Sequence, residues 1–265
     1  MPEGHTIHRY ANQHRRLLKG HTVAARSPQG RFAKGAALLD GLQLTDVEPY
    51  GKHLFYRFDG GLTLHVHLGL YGAFRQFDGD APAPTPGTRL ELATRDLTLR
   101  LAGPTACELI DPPTERAIRA RLGPDPLRRD ADVEAVRRAF ARRRTPVGAV
   151  LLDQAVVAGI GNAFRAEALF VTGIDPQRPA NELYREQFDQ LWATLATMLR
   201  KGVQSGRIVT VSPAELGRSR QSRNVEDWRY VYRRAGLPCR RCGTTVVSWP
   251  LAARPMYACP TCQST

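Results

Sequence analysis

Four of the five cysteines in this 265-residue chain fall within its last 27 residues. They form two Cys-x2-Cys pairs, Cys239 with Cys242 and Cys259 with Cys262, separated by sixteen residues. Four thiolates in two such pairs complete the tetrahedral coordination of Zn²⁺ and leave no position open for a substrate. A segment this short cannot build a core of its own, so we expect one structural zinc ion to hold it folded. The spacing disfavours the alternative of four unrelated free thiols.

The sixteen residues between the two pairs are expected to form a β-hairpin that carries Arg254, five residues ahead of Cys259. Cys107, the remaining cysteine, lies in an apolar stretch typical of a strand. We interpret Cys107 as a small buried hydrophobic residue, because isolated cysteines in such stretches are usually inert.

The charge of the chain predicts a polyanionic partner. The formal net charge is +13, and residues 201–265 hold 11 Lys and Arg against 3 Asp and Glu. Nucleic acid is favoured over a membrane, because the chain shows no basic amphipathic helix, lipidation motif, 18-residue apolar run or charged leader. We therefore expect a cytoplasmic protein that does not associate with membranes.

Hydrophobic periodicity and composition divide the chain into four parts and predict a multidomain α+β protein. Residues 1–112 begin with a helical stretch closed by Gly20 and continue as short β-rich runs, which is typical of a β-sandwich or barrel. Proline and glycine indicate a linker at 113–130. Residues 131–225 have helical periodicity, and 226–265 form the cysteine-rich end.

Within the helical part, Asp132 and Pro146 are typical of helix starts and Gly173 of a helix stop. The stretch 205–227 is polar and basic and has no sustained period, so we expect a mobile basic loop there.

The first residues after the initiator methionine suggest chemistry. A small residue such as Pro2 normally allows the methionine to be removed, which would leave a free secondary amine beside the carboxylate of Glu3. An α-amino group titrates near pH 8, so an appreciable fraction is unprotonated and nucleophilic at neutral pH. The pair is either a consequence of processing or a nucleophile with its own acid.

Several other residues have both a functional and a structural interpretation. The glycines of the segment 159–162 could bring the backbone close to a phosphate while Asn162 caps the next helix, or they could form an ordinary corner between helices. His65 and His67 share a strand face that could begin a metal site, although a polar face lining a groove is favoured. Lys52 is a solvated lysine unless the fold brings it near the amino terminus.

Leu70 and Tyr71 follow the histidine strand and precede Gly72. Bulky side chains at such a turn could insert into a base stack. The sequence alone favours the other interpretation, in which both belong to the hydrophobic core.

Seven motifs follow one another along nearly the whole chain: MPEGHTIHR, GKHLF, HLGLYG, LGPDPL, LLDQAVVAGIGNAFRAEAL, YVYRRAGLPCRRCG and RPMYACPTCQ. In sequence and in order they resemble motifs of the formamidopyrimidine-DNA glycosylase/endonuclease VIII family. The LYG turn resembles the endonuclease VIII branch. The resemblance implies an N-terminal β-sandwich, a helix–two-turns–helix domain and a zinc finger, with damaged double-stranded DNA bound by a monomer associated with the nucleoid. It also implies removal of oxidised bases, pyrimidines in this branch, followed by cleavage at the abasic sugar.

The resemblance also assigns roles to individual residues. Pro2 would be the nucleophile, Glu3 the acid/base group and Lys52 a helper in elimination, while Arg254 would grip a phosphate and assist the second elimination. Leu70 and Tyr71 match residues that fill the gap left by the flipped nucleotide. Other matches to DNA contacts are His67, Arg121 and Asn162. Two positions depart from family patterns: Gly69 replaces a glutamine of the endonuclease VIII pattern, and Gln154 stands where the sister branch has lysine.

Two alternatives to a bifunctional glycosylase and abasic-site lyase stay open on the sequence. One is a non-catalytic protein of the same shape that binds damaged DNA. The other is a hydrolase with a catalytic metal at His65 and His67, which the matching motifs disfavour.

Overall fold

The computed structural model describes residues 2–212, 215 and 228–264. Most of the stretch 213–227, which belongs to the predicted basic loop, lies outside the described residues. The chain divides into two compact units, residues 1–120 and 121–265. Among the described residues, no helix has both the length and the apolar character needed to cross a bilayer.

The described part of the first unit contains three helices and eight strands. The helices are α1 (Gly4–Leu18), α2 (Ala33–Leu39) and α3 (Pro112–Ala120). The strands are β1 (Ala24–Arg26), β2 (Leu44–Tyr50), β3 (His53–Phe58), β4 (Thr63–His67), β5 (Ala73–Asp78), β6 (Thr88–Ala93), β7 (Leu97–Ala102) and β8 (Ala106–Ile110).

These strands form two antiparallel four-stranded sheets, in the orders β1-β6-β7-β5 and β2-β3-β4-β8. Residues from both sheets and from α1 share one hydrophobic core, which includes Leu54, Tyr56, Leu92 and Leu101. Cys107 on β8 is 9% exposed and belongs to the same core. The sequence-based prediction of a β-sandwich is therefore confirmed.

Helix α1 presents an apolar face because Ile7, Ala11, His14 and Leu18 recur at helical spacing, and all four are buried. Gly20 follows the helix with a positive φ of 84°, as expected of a glycine that ends a helix. The helix packs on β2 and β3. Its last turn lies beside the start of β2, because Arg15 Nε donates to Asp46 at 2.7 Å.

The stretch predicted as a linker, 113–130, includes most of α3. Proline is well tolerated in the first turn of a helix, where the amide hydrogens have no helical acceptor. The carboxylate of Asp111 accepts a hydrogen bond from the amide of Thr114 at 2.8 Å and so stabilises the helix start. Residues up to Ala120 belong to the first unit and Arg121 begins the second.

The described part of the second unit contains four helices and one β-hairpin. They are α4 (Val133–Ala141), α5 (Val147–Val150), α6 (Asn162–Val171) and α7 (Arg185–Ser205), followed by β9 (Val247–Leu251) and β10 (Arg254–Ala258). As predicted, Asp132 caps α4 by accepting from the amide of Ala135, and Gly173 follows α6 with φ of 69°.

Helix α6 is the centre of the second unit. Every residue from Asn162 to Phe170 is buried, so the helix is surrounded on all sides. Its neighbours in the second hydrophobic core include Phe140, Leu195, Tyr230 and Met256. The core thus joins the helices to the cysteine-rich end of the chain.

Candidate active site and metal centre

Pro2 and Glu3 directly precede α1. The carbonyl oxygen of Glu3 accepts hydrogen bonds from the amides of Thr6 at 2.9 Å and Ile7 at 3.3 Å, which fixes the start of the helix. Pro2 is half-buried, and Glu3 is only 1% exposed. The N-terminus of a helix carries the positive end of its dipole, which stabilises negative charge nearby. The pair therefore holds a buried carboxylate beside the leading end of the chain.

The packing of α1 on β2 and β3 fixes the position of this pair relative to the sheet. The last turn of α1 lies at the start of β2, as the bond from Arg15 to Asp46 shows. Helix α1 is about 22 Å long at 1.5 Å per residue, and β2 is about 23 Å long at 3.3 Å per residue. For axes that run side by side, these matching lengths predict that the first turn of α1 lies near the end of β2, where the turn to β3 begins.

Lys52 and His67 lie at the same end of their sheet. Lys52 precedes β3, and the first residue of β3, His53, pairs with His67, the last residue of β4. Burial lowers the pKa of His67, and the positive charges of His65 and Lys52 lower it further. The neutral imidazole of His67 can accept or donate a hydrogen bond, according to its tautomer.

A hydrogen-bonded chain of side chains runs behind this end of the sheet. The Nδ1 atom of His65 lies 3.0 Å from a carboxylate oxygen of Glu108, and its Nε2 atom lies 2.8 Å from Nδ1 of His53. An ionised carboxylate only accepts hydrogen bonds, so His65 donates through Nδ1 and, when neutral, accepts from His53 through Nε2. Both ring nitrogens of His65 are therefore engaged, which argues against a metal site on His65 and His67.

The participation of His53 was not foreseen from the sequence. Its ring centroid lies 4.8 Å from that of His67 and 5.1 Å from that of His65. The alternation of side chains along β4 indicated that His65 and His67 share a face, but the register between β3 and β4 adds His53 to them.

Leu70 and Tyr71 lie in the turn between β4 and β5, and they are 42% and 86% exposed. The sequence-based preference for core positions is wrong for both, because Leu68 and Phe74 fill the core on either side of the turn. Gly69 has φ of 65°, and a Cβ atom there would lie 1.9 Å from the hydroxyl of Thr105. A side chain at position 69 would be strained by the positive φ and would require the Thr105 hydroxyl to move, so glycine suits this turn.

In the second unit, Asn162 is the first residue of α6 and is 4% exposed. The prediction that its side chain caps the helix is wrong, since Gly161 occupies the cap position and α6 has no side-chain cap. Instead, Asn162 donates from Nδ2 to the carbonyl of Pro255 at 2.9 Å. This bond links the helix to strand β10, next to Arg254.

Gln154 organises the loop that leads to α6. Its side-chain nitrogen donates to the carbonyls of Leu152 and Ile160 at 3.0 and 2.9 Å, and its oxygen accepts from the amide of Gly159 at 3.0 Å. The side chain at this position is thus committed to the loop. Arg121, the first residue of the unit, is exposed.

Arg254 is exposed at the start of β10, and the backbone around it is held by a buried arginine. Arg165 on α6 has no exposed surface and donates to the carbonyls of Gly148 at 2.8 Å, Leu251 at 3.2 Å and Arg254 at 3.4 Å. The turn between the two strands consists of Ala252 and Ala253, both with positive φ. Sequence reasoning missed Arg165, because nothing in a helical pattern reveals a bond to distant carbonyls.

The sulfur atoms of Cys239, Cys242, Cys259 and Cys262 all lie within 4.8 Å of one another. The Cys239–Cys262 separation is 3.8 Å and the Cys242–Cys259 separation is 3.4 Å. A tetrahedral Zn²⁺ with bonds of about 2.3 Å sets its sulfurs about 3.8 Å apart, so the four residues fit the ion. Hydrogen bonding from Thr244 lowers the pKa of Cys242 to about 6, which favours its thiolate, whereas burial raises the pKa of Cys259 and of Cys262, so a metal ion would have to displace the protons of those two thiols.

Glu167 fastens the segment ahead of these cysteines to α6. Its carboxylate has no exposed surface and accepts from the amides of Tyr230, Val231 and Tyr232 at 2.9, 2.9 and 2.7 Å, and also from the hydroxyl of Thr210. A buried carboxylate is stable only when such donors surround it. Glu167 therefore ties the chain to α6 on both sides of the stretch 213–227, at Thr210 and at residues 230–232.

Comparisons with known proteins agree with this architecture. The family model described as the formamidopyrimidine-DNA glycosylase N-terminal domain matches residues 1–111, and the model of the H2TH domain of the same enzymes matches residues 122–213. A protein named endonuclease 8 1 from Mycobacterium tuberculosis is 42% identical over 268 residues and covers 100% of both chains. The endonuclease 8 of an Escherichia coli strain is 32% identical, over 99% of this chain and 100% of its own.

Solved structures give the same result. The crystal structure of the MutM (Fpg) protein from Thermus thermophilus superposes with a TM-score of 0.79 at 32% identity, covering 99% of this chain and 98% of its own. A complex of the Lactococcus lactis Fpg with DNA that contains an abasic site superposes with a TM-score of 0.83 at 22% identity, which is evidence of a shared fold. With two family models matched in order and relatives above 30% identity along its whole length, the chain belongs to the formamidopyrimidine-DNA glycosylase/endonuclease 8 family.

Proposed function

We propose that this protein is a bifunctional DNA glycosylase and abasic-site lyase that removes oxidised bases, pyrimidines in particular, from double-stranded DNA. The observation that carries the proposal is the Pro2–Glu3 pair at the start of α1, with its carboxylate 1% exposed, in a chain of this family. Once Met1 has been removed, Pro2 offers an unprotonated secondary amine and Glu3 an adjacent acid/base group.

The chemistry follows from the secondary amine. Its attack on the sugar C1′ breaks the bond to the base, which leaves with a proton. The resulting iminium has no hydrogen on its nitrogen that it could lose to become a neutral imine, so it remains an electron sink. Removal of a C2′ proton then expels the 3′ phosphate, and a second elimination expels the 5′ phosphate. Glu3 serves as the acid in ring opening and as a base in the later proton transfers.

The remaining residues support the chemistry by holding DNA. The target C1′ is inaccessible in a stacked duplex, so the nucleotide must be flipped out while its phosphates are gripped. Leu70 and Tyr71, exposed on their turn, are suited to fill the gap in the stack. Arg254, Asn162, Arg121 and His67 are proposed phosphate or DNA contacts, and Lys52 is proposed to assist elimination.

The preference for pyrimidine lesions rests on the LYG turn and on the 42% identity to an endonuclease 8. It is also supported by Gln154, whose side chain is bound within its own loop where the sister branch has lysine. We further propose that the four cysteines bind a single structural Zn²⁺ and that a monomer acts in the cytoplasm on the nucleoid. Bound zinc would supply no catalytic chemistry, since the four thiolates leave no open coordination position.

Borohydride trapping tests the proposal. Intact-mass measurement first establishes that Met1 is absent. Incubation with duplexes that contain an oxidised pyrimidine or an abasic site, in the presence of borohydride, is then expected to give a covalent complex whose adduct maps to Pro2 by peptide mass spectrometry. The variant Pro2→Leu, whose larger residue keeps Met1 in place, is expected to give no complex.

Two outcomes would contradict the proposal. Absence of an adduct with every lesion, together with tight binding to abasic duplex, would favour the non-catalytic damage-binding protein instead. An adduct on a lysine that forms equally well in Pro2→Leu would leave the lyase activity but exclude Pro2 as the nucleophile.

A further inference from the structure

The outer face of the sheet β1-β6-β7-β5 carries a groove of about 530 Å³. We call it the arginine groove; its charged and aromatic lining residues are Arg31, Tyr71, Arg75, Phe77, Arg89 and Arg100. Side chains alternate along β5, so Phe74 points into the core while Ala73 and Arg75 are exposed on the outer face. No Asp or Glu lines the groove in the part of the chain that the structure describes.

The charge within the arginine groove is only partly compensated. Arg75 on β5 and Arg100 on β7 are direct cross-strand partners, and like charges in that position repel. Arg100 is 6% exposed and donates to Glu91 at 2.5 Å, and the same carboxylate also accepts from Arg26. Arg75 and Arg31 form no ion pair with any described residue. The face therefore holds an excess of positive charge that an anion would neutralise.

Two of the arginines are held in fixed positions. Arg89 donates through Nε to the side-chain oxygen of Gln29 at 2.7 Å, and the guanidinium carbon of Arg100 lies 4.9 Å from the centroid of the Phe77 ring. Guanidinium groups fixed in this way lose little conformational entropy when they bind an oxyanion. The groove therefore combines Arg89, which is held by Gln29 and has no ion-pair partner among the described residues, with Arg100, which is held by both Glu91 and Phe77.

We propose that the arginine groove binds the sugar–phosphate backbone of an unpaired DNA strand beside the lesion. Tyr71, the exposed residue proposed above to enter the base stack, also lines one end of the groove. A strand that leaves the stack at Tyr71 would therefore meet the groove next. This inference rests on the proposed function and extends it to a substrate class, DNA with single-stranded character next to the damaged base.

The chemistry of the lining fits single-stranded DNA better than an acidic protein segment. Sites for single strands combine a positive track for phosphates with aromatic rings on which bases stack. The arginine groove offers both, with Tyr71 and Phe77 among its arginines.

The test compares two double variants that lower the net charge equally. Arg31→Gln with Arg75→Gln removes two of the three groove arginines that form no ion pair with a described residue, and it keeps Arg89, which bonds Gln29. Arg16→Gln with Arg95→Gln removes two exposed charges outside it, one on α1 and one in the turn between β6 and β7. Fluorescence anisotropy measures binding of each protein to an undamaged single-stranded oligodeoxynucleotide from 0.05 to about 0.3 M salt, the range in which counterion release dominates.

For single-stranded DNA, each phosphate contact contributes about 0.7 to the magnitude of the slope of log affinity against log salt concentration. The groove variant loses two such contacts, so its slope is expected to be smaller in magnitude by about 1.4. At about 0.1 M salt this corresponds to binding about 25-fold weaker, whereas the control variant stays close to the parent. Folding is not expected to suffer, because Arg75→Gln also relieves the repulsion of Arg100; unchanged or higher melting temperatures verify this.

Excision from a fully paired damaged duplex is measured in parallel and is expected to change less than twofold in either variant. If neither variant nor the parent excises any base, the proposed function fails while the binding comparison still decides the role of the groove. Equal losses in the two variants would mean that only net charge matters and would overturn the groove. Unchanged binding in the groove variant would overturn it as well.

Discussion

At the scale of single residues, Glu3 is the most sensitive position. Its carboxylate is 1% exposed beside Pro2, so Glu3→Gln keeps the shape of the side chain and removes its acid/base chemistry. General acid–base catalysis contributes about 10²- to 10⁴-fold, and we expect base excision under single-turnover conditions to fall by that factor. Binding to an abasic duplex, measured by anisotropy, is expected to change little. Excision within threefold of the parent would remove Glu3 from the mechanism.

Two buried histidines make the first unit sensitive to acid. Burial lowers the pKa of His14 to about 3 and that of His5 to about 4. Because both folded-state values lie below the unfolded value of 6.5, their stabilisation is complete above pH 6.5 and is lost as the pH falls toward the folded values. At pH 5 each of these histidines lowers the free energy of unfolding by about 2 kcal/mol relative to pH 8.

Urea unfolding of the first unit, followed from pH 8 to pH 5, measures this loss. His14→Phe is expected to reduce the pH dependence by about half, because one of the two groups no longer takes up a proton on unfolding. His21→Gln changes an exposed histidine and serves as the control. A pH profile of His14→Phe that matches the parent would contradict the assignment.

At the scale of elements, α6 acts on the hairpin through Arg165. The guanidinium of Arg165 donates to the carbonyls of Gly148, Leu251 and Arg254. The last two carbonyls lie on either side of the hairpin turn, so Arg165 acts as a positioning residue for Arg254. We expect Arg165→Met to lower strand cleavage about ten- to hundredfold, since a displacement of about 1 Å can cost that much.

The distinguishing readout is the product ratio. If Arg165 acts through Arg254, the product of the second elimination decreases relative to that of the first, whereas a general loss of folded protein would leave the ratio unchanged. Arg200→Met removes an arginine whose side chain donates to the carbonyl of Ala196 in its own helix and to no other described residue, and it serves as the control. A constant ratio in Arg165→Met would exclude the positioning role.

At the scale of the whole molecule, the two hydrophobic cores predict separate responses to zinc removal. The first core lies within residues 1–120, and the second includes Cys239 and Cys259. A strong chelator, or Cys259→Ser, is expected to unfold the region after residue 236 while the first unit keeps its melting transition. Limited proteolysis with trypsin and mass spectrometry is expected to show new cleavage after Arg240 and Arg241. Loss of both transitions together would show that the units unfold as one.

Local rules made most of this architecture predictable from the sequence. Alternation identified the strands of the sandwich, Asp132 and Gly173 marked helix ends, and cysteine spacing identified the cluster of four cysteines. The family resemblance supplied the helix–two-turns–helix domain and the residue roles.

What the sequence did not reveal depends on contacts between distant segments. Leu70 and Tyr71 have apolar side chains, yet the turn exposes them. His53 joins His65 only through strand register, and Arg165 and Glu167 satisfy backbone groups far along the chain. Periodicity describes one element at a time, so it carries no information on such partners.

Ala252 and Ala253 both adopt the left-handed conformation, with φ of 53° and 57°. A left-handed alanine costs about 1–2 kcal/mol, whereas glycine or asparagine adopts this conformation at little cost. The turn is therefore strained, and the hairpin keeps this bend only while α6 and the four cysteines hold its two ends. If the four cysteines bind zinc as proposed, we predict that loss of the ion relaxes the loop bearing Arg254 first, so that the proposed cleavage activity falls before any general unfolding occurs.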